Sequence, residues 1–214
     1  MSPQPVVVLA TPDYWEEACR HLSRKDRVLK RLIPQFGDAC LQSRGDAFTT
    51  LARSIVGQQI SVKAAQTVWD RFAKLPRRMS AGNVLKLKVD DMQAAGLSAR
   101  KIEYLVDLAL HFDSGAIHVD AWKEMGDEEI IAELIGIRGI GRWTAEMFLI
   151  FHLMRPNVLP LDDIGLINGI SRNYFSGEAV SRSDAREVAA AWEPFRSVAT
   201  WYIWRSLDPV PVEY

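Results

Sequence analysis

Cysteine is the first scarcity in this chain: 214 residues include only Cys19 and Cys40. Two thiols cannot build a four-thiolate zinc or iron–sulfur site, and so sparse a set fits a reducing compartment in which both stay reduced and buried. An excess of one charge is missing as well, since 26 Lys and Arg stand against 27 Asp and Glu. No global positive field therefore draws the protein to nucleic acid. Any grip on phosphates has to come from a local patch and from backbone amides. Long apolar runs are absent. Val6-Val-Val-Leu-Ala10 is too short to span a bilayer and lacks a basic flank, so it is expected to be neither anchor nor leader. The histidines at 21, 111, 118 and 152 have no metal-ligand spacing and are expected to be structural or exposed. No serine or cysteine nucleophile pattern and no phosphate-binding P-loop occurs.

What the chain has instead is helical periodicity. With 48% hydrophobic and 25% charged residues it has the composition of a globular protein large enough for a sizeable core, as one domain or two packed lobes. Apolar residues recur at three- and four-residue intervals, and strand-like alternation is nearly absent, which predicts an all-α fold. Helices are predicted at about 12–23, 26–36, 46–57, 61–74, 80–86, 90–95, 98–113, 127–135, 141–153, 162–173, 182–191 and 194–207.

Residues 134–163 concentrate the chemistry. Leu134-Ile-Gly-Ile-Arg-Gly-Ile-Gly141 is a glycine-rich reversal, Arg142-Trp-Thr-Ala opens an apolar helix, and Pro160-Leu-Asp-Asp163 brings two carboxylates. Gly139 and Gly141 permit positive φ and can aim N–H groups at an anion, and the helix that follows adds its positive end. A tight helix-to-helix connection with no ligand would use the same glycines. Asp162 and Asp163 suit a helix N-cap as well as they suit catalysis.

Together with Ala52-Arg-Ser-Ile-Val-Gly-Gln-Gln-Ile-Ser61, Gly96-Leu-Ser-Ala-Arg-Lys101 and Ala191-Trp-Glu-Pro-Phe-Arg-Ser197, the hairpin and the aspartate loop resemble the helix-hairpin-helix (HhH-GPD) DNA glycosylase superfamily. Similarity spans about residues 46–207 and is greatest to the alkylation-repair branch, 3-methyladenine DNA glycosylase II. The resemblance implies a two-lobed all-α fold with the active-site cleft between the lobes. A middle lobe of residues 45–154 would carry the hairpin, and a second, of residues 1–44 plus 155–214, would carry the aspartate loop. About 45 residues precede the first signature, too few for the N-terminal sheet domain of larger bacterial relatives, so the chain resembles a compact version. Iron–sulfur members carry four C-terminal cysteines, which this chain lacks.

Carried over residue by residue, the resemblance makes Asp163 the catalytic carboxylate, stabilising the positive charge that builds on deoxyribose as the N-glycosidic bond breaks. Asp162 is left as cap or support. Trp143 stands where strand-cutting members have a Schiff-base lysine, so it implies a monofunctional enzyme that leaves an abasic site. Trp204, within Thr200-Trp-Tyr-Ile-Trp204, takes the place of an aromatic that stacks on the extruded base, and a cationic purine would be drawn to its ring. Met147 and Ile164 stand where close relatives have tyrosines, which implies a less aromatic pocket. Gln58, Gln59 and Ile60 fall where the family inserts a wedge into the duplex. A plain turn would account for them too. Gly136, Arg138, Gly139, Gly141, Arg142, Thr144 and Ser61 are the implied DNA contacts, with Arg138 and Arg142 supplying local positive charge. Lys63 could join them or simply be solvated, and Arg196 is as suited to a carboxylate pair as to DNA.

The implied activity is hydrolysis of 3-methyladenine-like and 7-methylguanine-like lesions in double-stranded DNA by a monomer. It needs no redox cofactor or catalytic metal, although the hairpin carbonyls could hold a monovalent cation. A cytosolic or other reducing, DNA-containing compartment is expected, with no membrane partner. A glycosylase for oxidised or mismatched bases and a non-catalytic DNA-binding module are the alternatives. Trp143 and the missing cysteine cluster disfavour the first, and Asp163 in its loop disfavours the second.

Overall fold

A computed structural model of the chain describes residues 11–43 and 45–207, so the apolar run at residues 6–10 lies outside the described part. Among the described residues there are twelve α-helices. They are α1 (Trp15–Lys25), α2 (Arg27–Leu32), α3 (Ala47–Gly57), α4 (Val62–Phe72), α5 (Ala81–Val84) and α6 (Val89–Ala94). The chain continues through α7 (Ala99–Asp113), α8 (Asp127–Ile135), α9 (Arg142–Phe151), α10 (Ile164–Tyr174), α11 (Arg182–Ala190) and α12 (Arg196–Leu207). None is long and apolar enough to cross a membrane.

Side-chain caps set many of these starts. Asp26, Asp46, Ser61, Ser98, Asp163 and Ser181 each accept a backbone N–H from the first turn of the helix that follows, satisfying donors that the helix itself leaves open. The helix expected over 26–36 is shorter than its pattern. It passes into a 3-10 turn at Ile33–Phe36, because Pro34 has no N–H with which to continue the α ladder. A further 3-10 turn at Val119–Ala121 was not expected from the sequence.

The chain divides into two units, Met1–Arg44 with Leu149–Tyr214, and Gly45–Phe148. This places the second junction inside α9, earlier than residue 154. In the Gly45–Phe148 unit, α7 is central, with Leu105, Leu108 and Ala109 shut off from solvent. Leu51, Ala52, Ile55 and Val56 of α3 are equally buried, and α3 and α5 both pack on α7.

In the other unit, α12 is buried all round. Every residue from Ser197 to Ile203 is buried, and α1, α2 and α10 lie against it. A helix surrounded in this way needs no apolar stripe, which is why α12 reads as a mixed sequence. Helix α10 approaches it where glycines permit: a Cβ at Gly169 would overlap Ile203, and one at Gly165 would press on Trp204.

A buried polar network ties α2 into the same unit. Asp26 Oδ1 caps α2, accepting from the Val28 and Leu29 amides at 2.8 and 2.9 Å. Its Oδ2 accepts from Tyr174 Oη at 2.7 Å and Trp192 Nε1 at 3.0 Å. Burial and the neighbouring carboxylate push the Tyr174 phenol far above its ordinary range, so it stays a donor. Asp26→Ala removes a cap and strands two buried donors, and should cost roughly 3 kcal/mol of stability. Urea unfolding of the variant against the parent measures this, and a loss under half a kcal/mol would contradict it.

Candidate active site

The loop leading to α10 is held by the third sequence signature. Ser197 at the start of α12 is fully buried. Its Oγ donates to Arg155 O at 2.6 Å and accepts from Val158 N at 2.9 Å, while its own amide donates to Pro156 O at 3.0 Å. Arg196 donates to Asn157 Oδ1 at 2.9 Å and pairs with Glu193, also at 2.9 Å, so its guanidinium serves the loop rather than standing free for DNA. The roles of Ser197 and Asn157 had no signal in the sequence beyond the first of these lying in a shared motif.

At the loop's end the two carboxylates part company. Asp162 is exposed and pairs with Arg182 at 2.7 Å across the surface, an interaction worth little energetically. Asp163 is 8% exposed. Its Oδ1 accepts from the Leu166 amide at 2.6 Å, capping α10, and from Trp204 Nε1 at 2.7 Å. Capping and a candidate catalytic position, which the sequence leaves as alternatives, therefore meet in one residue. Two donors on a single oxygen, a backbone amide and an indole N–H, fix the plane of the carboxylate.

Trp204 is thus tethered by its edge. Its ring also lies nearly parallel to Phe151, at 5.6 Å between centroids and 12°, so a base could stack only on its opposite face. Neither the indole donor nor Phe151 is predicted by the sequence. Trp201 and Tyr202 are core residues, packed edge to face on each other, with Trp15 edge to face on Trp201 and tilted against Tyr202. The Tyr202 hydroxyl reaches Cys19 Sγ at 3.3 Å. Cys19 and Cys40 are both free and half-buried rather than buried. Ile164, next to Asp163, is 76% exposed and stands in solvent.

The hairpin joins α8 to α9 in the Gly45–Phe148 unit. Gly139 turns the chain with φ +87°, and a Cβ there would overlap the Tyr104 ring, so only glycine fits. Gly136 is right-handed, ending α8. Gly141 does not adopt positive φ. The reversal is complete at Gly139, and the Gly141 carbonyl already accepts the first bond of α9, from Ala145 N at 3.0 Å. Among the described residues nothing accepts from the Gly139 or Gly141 amides.

Arg138 and Arg142 do not supply the free positive charge expected of them. Asp107 accepts from both the Arg138 amide, at 2.8 Å, and its Nε, at 3.1 Å. Burial pushes the Asp107 carboxyl up, but these bonds and His111 outweigh it and hold it below its usual range. Arg142 makes a two-pronged pair with Glu128 and also bonds the buried Glu146 at 3.0 Å. That pairing raises its pKa further and lowers that of Glu128. The arginines brace the hairpin from behind.

On α9, Trp143 is 37% exposed while Met147 is 6% exposed and Thr144 is buried. Any DNA contact by Thr144 therefore falls to its backbone, and Met147 is mostly core. Ser61 caps α4 by accepting from Ala64 N at 3.3 Å, with Lys63 exposed beside it. Gln58 is turned inward, Gln59 is exposed with φ +59°, and Ile60 is 40% exposed.

A helix-hairpin-helix turn with free amides and a buried aspartate capping the helix after a proline-containing loop define a class. Residues 52–195 match the model of the HhH-GPD superfamily of base excision DNA repair proteins, and the chain belongs to that family. It is 32% identical over 193 residues to DNA-3-methyladenine glycosylase 1 of Schizosaccharomyces pombe, covering 87% of this chain and 85% of that one. The protein YfjP of Bacillus subtilis is 32% identical over 169 residues, 75% of this chain and 59% of its own length, so the chain spans under two thirds of that relative. A solved structure of S. pombe 3-methyladenine DNA glycosylase bound to abasic DNA superposes with a TM-score of 0.75 at 31% identity, covering 92% of this chain and 100% of that one.

Trp204→Phe keeps the ring against Phe151 and removes the donor to Asp163. Loss of a hydrogen bond to a buried carboxylate should lower stability by roughly 2 kcal/mol. Chemical denaturation tests this, and unchanged stability would mean that the indole bond contributes nothing to holding Asp163.

Proposed function

We propose that the protein is a monofunctional DNA glycosylase that releases alkylated bases of the 3-methyladenine and 7-methylguanine type from double-stranded DNA. The observation that carries this reading is Asp163, a buried carboxylate held at one oxygen by two fixed donors. As the C1′–N bond breaks, its electron pair leaves with the base and positive charge develops on the sugar. A carboxylate already oriented stabilises that charge with no rearrangement at the moment of reaction. Water then adds at C1′, and its proton passes to Asp163 or to solvent, leaving an abasic site. An alkylated purine carries positive charge before it departs, so no general acid is required.

On this reading the Gly139 and Gly141 amides and the positive end of α9 grip a phosphate, positioning the protein without reading sequence. Gln59 and Ile60 enter the duplex. Trp204 presents the face opposite Phe151 to a cationic base. The reaction uses water alone as co-substrate and calls for no redox cofactor or catalytic metal. A monovalent cation at the hairpin fits only in part: Ile137, Gly139 and Gly141 carbonyls already accept hydrogen bonds, so each could offer only its second lone pair. We further infer that the protein acts as a monomer, in a reducing compartment that contains DNA.

Asp163→Asn keeps an oxygen that can cap α10 and bond Trp204, so folding and DNA binding should hold while single-turnover base release falls by orders of magnitude. Asp162→Asn should change release by less than about threefold. Methylated DNA with chromatographic identification of released bases measures both, and swapped phenotypes would move the catalytic role to Asp162. Because Trp143 replaces the Schiff-base lysine, the product strand should stay intact until alkali treatment, and borohydride should trap no covalent complex. A trapped adduct at stoichiometric yield would end the monofunctional reading.

A further inference from the structure

Beside the turn between α3 and α4 is a pocket of about 170 Å³, open to solvent and walled in part by Gln58, Gln59, Lys101, Tyr104 and Gly139. Two side chains bond this turn and the end of α3 to their neighbours. Gln58 Nε2 donates to Gly139 O at 2.8 Å, bridging from the end of α3 to the hairpin turn. Lys101 Nζ donates to Val56 O at 2.6 Å, taking up one of the carbonyls that the last turn of α3 leaves open. Burial depresses the pKa of Lys101.

Tyr104, three residues after Lys101 on the same face of α7, presses its ring against the Cα of Gly139. Helix α7 therefore touches both the end of α3 and the hairpin, and Gln58 closes the circuit between them. Just beyond Gln58, the exposed Gln59 takes φ +59°, a left-handed conformation that side chains other than glycine rarely adopt and that persists only where the surroundings impose it.

We propose that Gln58 is a positioning residue that couples the phosphate-gripping hairpin to the duplex-entering α3–α4 loop, so that Gln59 and Ile60 are presented at a fixed offset from the gripped phosphate. The proposal rests on the glycosylase reading above. It removes Gln58 from the wedge itself, because a side chain bonded to Gly139 O is not available to fill a gap in the base stack. It also predicts a separation of effects. Without the Gln58 bond the hairpin amides are untouched and DNA is still held, but the loop samples other positions and the extruded state becomes a smaller fraction of the bound complexes.

The test uses the full chain and a duplex carrying 2-aminopurine at the position to be extruded, whose fluorescence rises on unstacking. Gln58→Met retains length and loses the donor. Its affinity for undamaged duplex, by anisotropy, should stay within about twofold of the parent. Its 2-aminopurine signal at saturation and its single-turnover release of 7-methylguanine should each fall by about five- to tenfold, the worth of one hydrogen bond. Lys101→Met, acting on the other side of the loop, should move the same two readouts in the same direction. Equal weakening of binding to all DNA with an unchanged signal at saturation would make Gln58 part of the grip and overturn the proposal. So would signal and release both unchanged in Gln58→Met. The fluorescence needs no chemistry, so a parent protein that unstacks the reporter yet releases no base would refute the reaction while leaving the coupling measurable.

Discussion

One carboxylate oxygen carries the candidate site. Asp163 Oδ1 accepts at once from the Leu166 amide and from the Trp204 indole. Those bonds join the start of α10 to the last turn of α12, the helix against which α1, α2 and α10 pack. The constraint is severe because each donor comes from a rigid source. A backbone amide in the first turn of a helix cannot rotate away, and Trp204 is pinned by Phe151 and by the close approach that Gly165 permits. On the proposed reading a residue at position 163 has three tasks, to cap α10, to accept from an indole and to face the developing positive charge with a carboxylate. Serine or threonine would meet the first demand, asparagine the first two, and aspartate meets all three with a side chain short enough for the cap. Stability and chemistry are thereby drawn from the same bonds, which is an economical way to preorganise a charge without adding strained backbone.

The hairpin follows a different economy. Its arginines are each paired with carboxylates, Arg138 with Asp107 and Arg142 with Glu128 and Glu146, although both remain about half exposed or more. What remains for an anion are amides and the end of a helix. Such dipolar contacts release fewer counterions than lysine or arginine on phosphate, so their contribution changes less with ionic strength and carries no long-range attraction. A protein that grips DNA in this manner holds it briefly and locally. The neutral composition that first argued against a nucleic-acid partner is thus consistent with one, provided the contact is made by backbone.

Much of this was legible in the sequence because the signals were local. Helix starts could be read from Asp46, Ser98 and Ser181, since a cap acts within its own first turn. The hairpin could be read from Gly139, since its φ and its neighbour Tyr104 admit no side chain. What could not be read were partnerships between residues far apart in the chain. Nothing about Trp204 announces that its N–H rather than its face meets Asp163, and nothing about Arg142 announces Glu128, because either depends on how helices pack. Gly141 misled for the opposite reason. A glycine permits positive φ without requiring it, and once Gly139 had made the turn the next glycine had only to leave space. Met147 was placed by its position in a motif, yet its burial is decided by which face of α9 the core takes.

The same distinction between local and distant bonds separates the two pieces of machinery in their tolerance to change. The Asp163 site is built into the centre of its unit, where α12 is buried on every side, so a change of volume anywhere along Ser197–Ile203 is transmitted to the helix that carries Trp204. The α3–α4 loop lines a solvent-open pocket and is held by two polar bonds at its margins. Precision at the carboxylate thus comes from close packing, whereas precision at the loop comes from hydrogen bonds that can break and reform. On the proposed reading, that difference suits a part that holds a charge in place and another that enters and leaves a base stack.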